Sequence, residues 1–122
     1  MTLLAAMPML RTPDLASSIR FYTDVLGFEC TRFEREWGWA SLQRDKLTLK
    51  LSSPTLPDTL RLPVTPLVIH FAVDDVNAFW EALEGRAPIC YPLFEFETGA
   101  REFAIYDNNG HVLQFSQEDA RA

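Results

Sequence analysis

The chain has 122 residues, 48% of them hydrophobic and 23% charged, with a formal net charge of −6 and a pI of about 4.8. That composition supports one ordinary domain with a true hydrophobic core and excludes a disordered chain. The acidity argues against a nucleic-acid partner, whose binders carry basic patches, and no apolar run approaches the roughly 18–20 residues that span a bilayer.

The opening MTLLAAMPML lacks a basic leader and is broken by Pro8, so it reads as a first strand, with Met7–Arg11 as its strand-like part. The expected location is the cytoplasm. Asp14–Gly27 follows as a helix. Leu15, Ile19, Tyr22 and Leu26 fall on one face, Asp14 is placed to cap the first amides, and Gly27 is placed for the left-handed end. Two alternating stretches, Trp37–Gln43 and Lys46–Ser52, form a hairpin around Arg44-Asp45.

A proline-rich segment, 54–66, then resists helix and interior strand. Beyond it the pattern restarts. Leu67–Phe71 reads as a strand, Asp75 caps a helix with Val76, Phe79, Trp80 and Leu83 on its apolar face, and Gly85 ends it. The pair FYTDVLG (21–27) and FWEALEG (79–85) share one pattern, as do LTLKLS (47–52) and HVLQFS (111–116), so Lys50 corresponds to Gln114. The halves read as one β-α-β-β-β unit used twice. At about 60 residues each they are marginal as independent cores, so the expectation is a single domain over 1–122, with module 1 at about 1–53 and module 2 at about 67–122. The fold class expected is α+β, with curved mixed sheets around a cavity.

Strand alternation sorts side chains to faces. Leu47, Leu49 and Leu51 turn to the helix side, which leaves Lys50 on the other. The hairpin register that keeps Ala40 and Leu42 with these leucines sets Trp39 opposite Lys50 and Trp37 opposite Ser52. In the last hairpin, Leu113 and Phe115 point to the core and Gln114 away. A turn at Asp107–Gly110 then puts Phe103 opposite Gln114 and Arg101 opposite Ser116. His70 shares the outward face with Val68. The resulting candidate binding residues are Trp37, Trp39, Lys50, His70, Arg101, Phe103 and Gln114, with Phe33 added. Large apolar rings on such a face are costly to expose, which favours a ligand-covered concavity over a wet sheet surface. His111, just after the turn, reads as a surface residue. Cys30 and Cys90 lack metal or redox spacing and read as free thiols.

DLASSIRFYTDVLGFE (14–29), WASLQRDKLTLKL (39–51) and GAREFAIYDNNGHVLQFSQE (99–118) together resemble the vicinal-oxygen-chelate superfamily, most closely its bleomycin-resistance-protein branch. The resemblance covers most of the chain in order and spacing. It implies paired β-α-β-β-β modules, a homodimer with cavities at the subunit interface, and an N-terminal strand that is often exchanged near a proline, here Pro8. Metal-dependent relatives such as glyoxalase I carry four ligands at positions that fall here on Met7, Lys50, Val68 and Gln114. Only Gln114 could ligate, so the expectation is no metal, no cofactor and no catalytic residue. The function implied is a metal-free small-molecule-binding protein that confers antibiotic resistance by sequestering a bleomycin-type glycopeptide. The alternatives are a metal-dependent enzyme of the glyoxalase or dioxygenase type, or a scaffold for a metabolite. Antibiotic-binding members carry a tryptophan just ahead of the Arg101-Glu102-Phe103 stretch, where this chain has Gly99.

Overall fold

A computed structural model describes residues 1–53 and 65–118, so most of the proline-rich segment lies outside the described residues. The chain divides into two compact units, Met1–Thr65 and Pro66–Ala122. Each has the same architecture, an α+β unit with one helix laid on a four-stranded mixed sheet.

In the first unit the elements run β1 (Met9–Arg11), α1 (Leu15–Arg20), β2 (Glu29–Glu34), β3 (Trp39–Arg44) and β4 (Leu47–Ser52), and the sheet order is β1-β4-β3-β2. Only β1 and β4 run parallel. The Asp14 carboxylate accepts from the Ser17 amide at 3.2 Å, which supplies a partner for one of the amides a helix start leaves open. The helix continues from Phe21 to Val25 as a wide π turn, and Gly27 at φ 72° closes it. Leu15, Tyr22 and Leu26 are buried, against Leu10, Ala40, Leu42, Leu49 and Leu51 from the sheet.

The second unit repeats this order with β5 (Val68–Ala72), α2 (Val76–Leu83), β6 (Ile89–Glu95), β7 (Arg101–Tyr106) and β8 (Val112–Gln117), in sheet order β5-β8-β7-β6. Asp75 caps α2 by accepting from the Ala78 amide at 3.1 Å. Under the helix lies an aromatic stack. Phe115 sits 5.2 Å from Phe71, 5.5 Å from Phe79 and 5.1 Å from Phe103, and Trp80 meets Phe103 edge-on at 5.2 Å.

Both hairpin registers differ from the expected ones, with different consequences. In the first, Asp45 takes φ 54° and closes a two-residue turn, so Arg44 pairs with Leu47, Trp39 with Ser52 and Ser41 with Lys50. A shift of two residues leaves every side chain on its expected face. In the second, Asp107 and His111 themselves pair: the Asp107 amide donates to the His111 carbonyl, and the Asp107 carboxylate accepts from the Asn109 and His111 amides. The loop is therefore odd in length, and the register slips by one, which exchanges the faces of a whole strand. Phe103 pairs with Phe115 and Arg101 with Gln117. Phe103 is fully buried in the aromatic stack, and Arg101 shares its face. Arg101 does not lie opposite Ser116 as expected, and Phe103 does not lie opposite Gln114. Ala104 does, and Glu102 and Tyr106 take the face on which Phe103 was expected.

His111 is also a correction. It is buried, and its Nδ1 accepts the Leu67 amide at 2.9 Å, which pins the chain entering β5. No helix among the described residues is long and apolar enough to cross a membrane.

Candidate functional site

In each unit the helix covers one sheet face and leaves the other uncovered by it, and the sequence-expected residues divide between these two uncovered faces. In the first unit, Met9, Trp37, Trp39, Lys50 and Ser52 line a cavity of about 280 Å³. Parallel pairing of β1 with β4 puts Met9 beside Lys50. Trp39 and Lys50 are diagonal neighbours across β3 and β4, and long side chains reach across that diagonal. The Lys50 ammonium accordingly lies 4.8 Å from the Trp39 ring centre. From the neighbouring strand β2, the Arg32 guanidinium lies 5.2 Å from the same ring, held by Glu34 at 2.8 Å. A cation over an indole face is an attractive arrangement, and here two cations lie near one ring.

Trp37 is not on the strand. It sits in the turn between β2 and β3, where Gly38 at φ 71° reverses the chain and donates its amide to the Glu34 carbonyl at 2.8 Å. That turn leaves the Trp37 side chain 73% exposed at the cavity rim. Phe33 pairs with Ala40, so it stands on the face opposite Trp39, with the Arg35 guanidinium 5.4 Å from its ring. It does not join the cavity, because Glu29, Arg32 and Glu34 are the β2 residues that share the face of Trp39.

The second unit places a polar chain on the equivalent face. Parallel pairing of β5 with β8 sets His70 beside Gln114, and His70 Nδ1 donates to Gln114 Oε1 at 2.9 Å. This hydrogen bond fixes the neutral ring's proton on Nδ1 and leaves Nε2 as an acceptor. The Tyr91 hydroxyl donates to Glu102 Oε2 at 2.5 Å. Burial, then the neighbouring Glu102 carboxylate, push the Tyr91 phenol up to about 12, while a hydrogen bond with Gln114 pulls the other way. Glu102 Oε1 lies 3.9 Å from His70 Nδ1. Phe94 pairs with Glu102 and contacts the Tyr91 ring at 5.6 Å, so it belongs to this face too.

Of the sequence-expected residues, Trp37, Trp39, Lys50, His70 and Gln114 lie at these two faces, and they are joined there by Met9, Ser52, Tyr91, Phe94 and Glu102, which the sequence reading does not single out. The repeat could have found Met9, because Met9 stands to Lys50 as His70 stands to Gln114. Glu102 was hidden by the parity of the turn.

The four positions where metal-dependent relatives carry ligands do not fit a divalent ion. Val68 has no donor atom, Met7 offers only a thioether, Lys50 brings a positive charge, and the Gln114 carbonyl already accepts from His70. Among the described residues, no three His, Cys, Asp or Glu side chains are grouped to hold a metal.

Residues 5–115 match the profile of the Glyoxalase/Bleomycin resistance protein/Dioxygenase superfamily. The chain belongs to this superfamily. Its repeated units have the solved counterparts such membership implies. TioX from Micromonospora sp. ML1 superposes with a TM-score of 0.78 at 20% identity, covering 93% of this chain and 99% of that one. A lactoylglutathione lyase from Agrobacterium tumefaciens gives 0.77 at 20% identity, with 93% and 92% covered. A glyoxalase/bleomycin resistance protein/dioxygenase from Nocardioides gives 0.76 at 16% identity, with 100% and 89% covered. At these identities the likeness establishes the superfamily fold alone. No curated protein sequence matches the chain.

Proposed function

We propose that this superfamily member is a small-molecule-binding protein, and that its use is antibiotic sequestration of the bleomycin-resistance kind. One observation carries the reading. The cavity of about 280 Å³ is walled by Met9, Trp37 and Trp39, and Lys50 stands where metal-dependent relatives place a ligand. Indole rings give a planar guest apolar area and stacking, and they hold it without chemistry on the guest. A bleomycin-type glycopeptide would lay a planar part on Trp39, and the free drug would fall by mass action. The homodimer implied by the family resemblance is part of the same proposal.

Titration of tryptophan fluorescence with bleomycin tests it. A saturable change is expected, lost in Trp39→Ala and retained in Trp80→Phe. No change at high micromolar drug would refute the bleomycin reading. Stoichiometric divalent metal in protein purified without chelator, lost in Gln114→Ala, would instead support a metal-dependent enzyme.

A further inference from the structure

We propose that the cavity of the first unit is built for an anionic aromatic compound, an aromatic carboxylate, with its ring against Trp39 and its acid group on Lys50 and Ser52. This rests on the small-molecule-binding part of the reading above and puts an anion, in place of a cationic glycopeptide, in this cavity.

The polar groups of the cavity are donors. The Lys50 ammonium and the indole N–H groups of Trp37 and Trp39 can only donate. Ser52 could do either, but its oxygen already accepts from the Arg11 guanidinium at 2.7 Å, so its own proton is left to give to a guest. Lys50 stands over Trp39 with no carboxylate paired to it among the described residues. Two acidic side chains of β2, Glu29 and Glu34, share the face of Trp39; neither lines the cavity, and Glu34 is engaged at 2.8 Å by Arg32, whose guanidinium lies 5.2 Å from the same indole. The cavity itself is thus lined by one cation and no carboxylate, in a chain of net charge −6. Such a local inversion selects an anion against the field of the rest of the molecule.

The apolar walls and the size select the remainder of the guest. Met9, Trp37 and Trp39 offer a soft thioether and two flat rings. A volume of about 280 Å³ is at the small end of ligand pockets, which run from about 300 to 1,000 Å³. It suits one ring or two fused rings with one acid group, or that part of a larger ligand. A cationic arene would bring like charge to Lys50. A neutral arene would use the walls and leave the donors unanswered.

Calorimetric titration with three matched probes tests this: naphthoate, naphthylmethanol and naphthylmethylammonium. Naphthoate is expected to bind about tenfold or more tightly than the alcohol, with the ammonium weakest, and the preference is expected to shrink at high salt. It should vanish in Lys50→Met and in Lys50→Gln, each shown to be folded by circular dichroism. Equal binding of the alcohol or the ammonium, or an unchanged preference in both Lys50 variants, would overturn the anion assignment and leave the binding reading standing. Failure of all three probes would overturn the assignment, and failure of bleomycin as well would overturn the binding reading with it.

Discussion

Replacing Phe103 by Ala tests the register on which the second unit's site depends. Phe103 is fully buried, stacked on Phe115 at 5.1 Å and met edge-on by Trp80 at 5.2 Å. Removing a buried phenyl ring costs about 3–5 kcal/mol, from lost transfer energy and the cavity left behind. For a chain of this length that lowers Tm by about 10–20 °C. Ser116→Ala, on the opposite face of the adjacent strand, should stay within about 0.5 kcal/mol. Urea unfolding followed by far-ultraviolet circular dichroism measures both. If Phe103→Ala costs less than about 1 kcal/mol, the ring faces outward, the one-residue slip is absent, and Phe103 rather than Ala104 stands beside Gln114.

Glu102→Gln should lower the Tyr91 titration step from about 12 but not return it to 10.0, because burial, the larger cause, remains. Tyrosinate absorbance follows the step, and an unchanged step would contradict the hydrogen bond. Because the folded value lies above the unfolded one, the protonated phenol contributes its full stability below pH about 10 and loses it as the pH climbs towards 12, so the wild-type protein should weaken over that alkaline window. Asp75→Ala should cost about 1 kcal/mol in urea unfolding by removing the acceptor of the Ala78 amide, and Asp75→Ser should recover most of it.

Much of the fold can be read from local chemistry. Asp14 and Asp75 are strong helix-cap signals because a short carboxylate accepts from an amide three residues on, and both do so. The repeat is legible because Lys50 and Gln114 hold equivalent places in β4 and β8, and both sheets share one strand order. The sites are less legible, because a face depends on the parity of a turn. Around Asp45 an error of two residues changes nothing that matters, and Trp39 still meets Lys50. At Asp107 the carboxylate gathers two loop amides and pairs the chain one position later. That sends Phe103 and Arg101 to the helix side and brings Glu102 to the site. His111 reads as exposed for a related reason: no alternation pattern indicates that a post-turn imidazole will turn inward to accept the Leu67 amide. The change from α-helix to a π turn over Phe21–Val25 left the buried set of Leu15, Tyr22 and Leu26 intact, so it too was silent in the pattern.

The two uncovered faces differ in chemistry although they derive from one repeated unit. The first offers indoles and cationic donors. The second offers a carboxylate bound to a phenol, and an imidazole whose Nε2 is left as an acceptor. Lys50 is equivalent to Gln114 and Met9 to His70, so part of this divergence lies at two equivalent positions on common strands.

The chain has three tryptophans, and they make the most direct measurement possible. Trp37 and Trp39 line the cavity, whereas Trp80 packs on Phe103 beneath α2 in the second unit. In a two-dimensional nitrogen–proton correlation spectrum each gives one indole N–H signal. Titration with a bound arene should move the signals of Trp37 and Trp39 and leave that of Trp80 in place. A guest that moves Trp80 alone, or binds while moving none of the three, would contradict the placement of the binding site on the first unit's aromatic face.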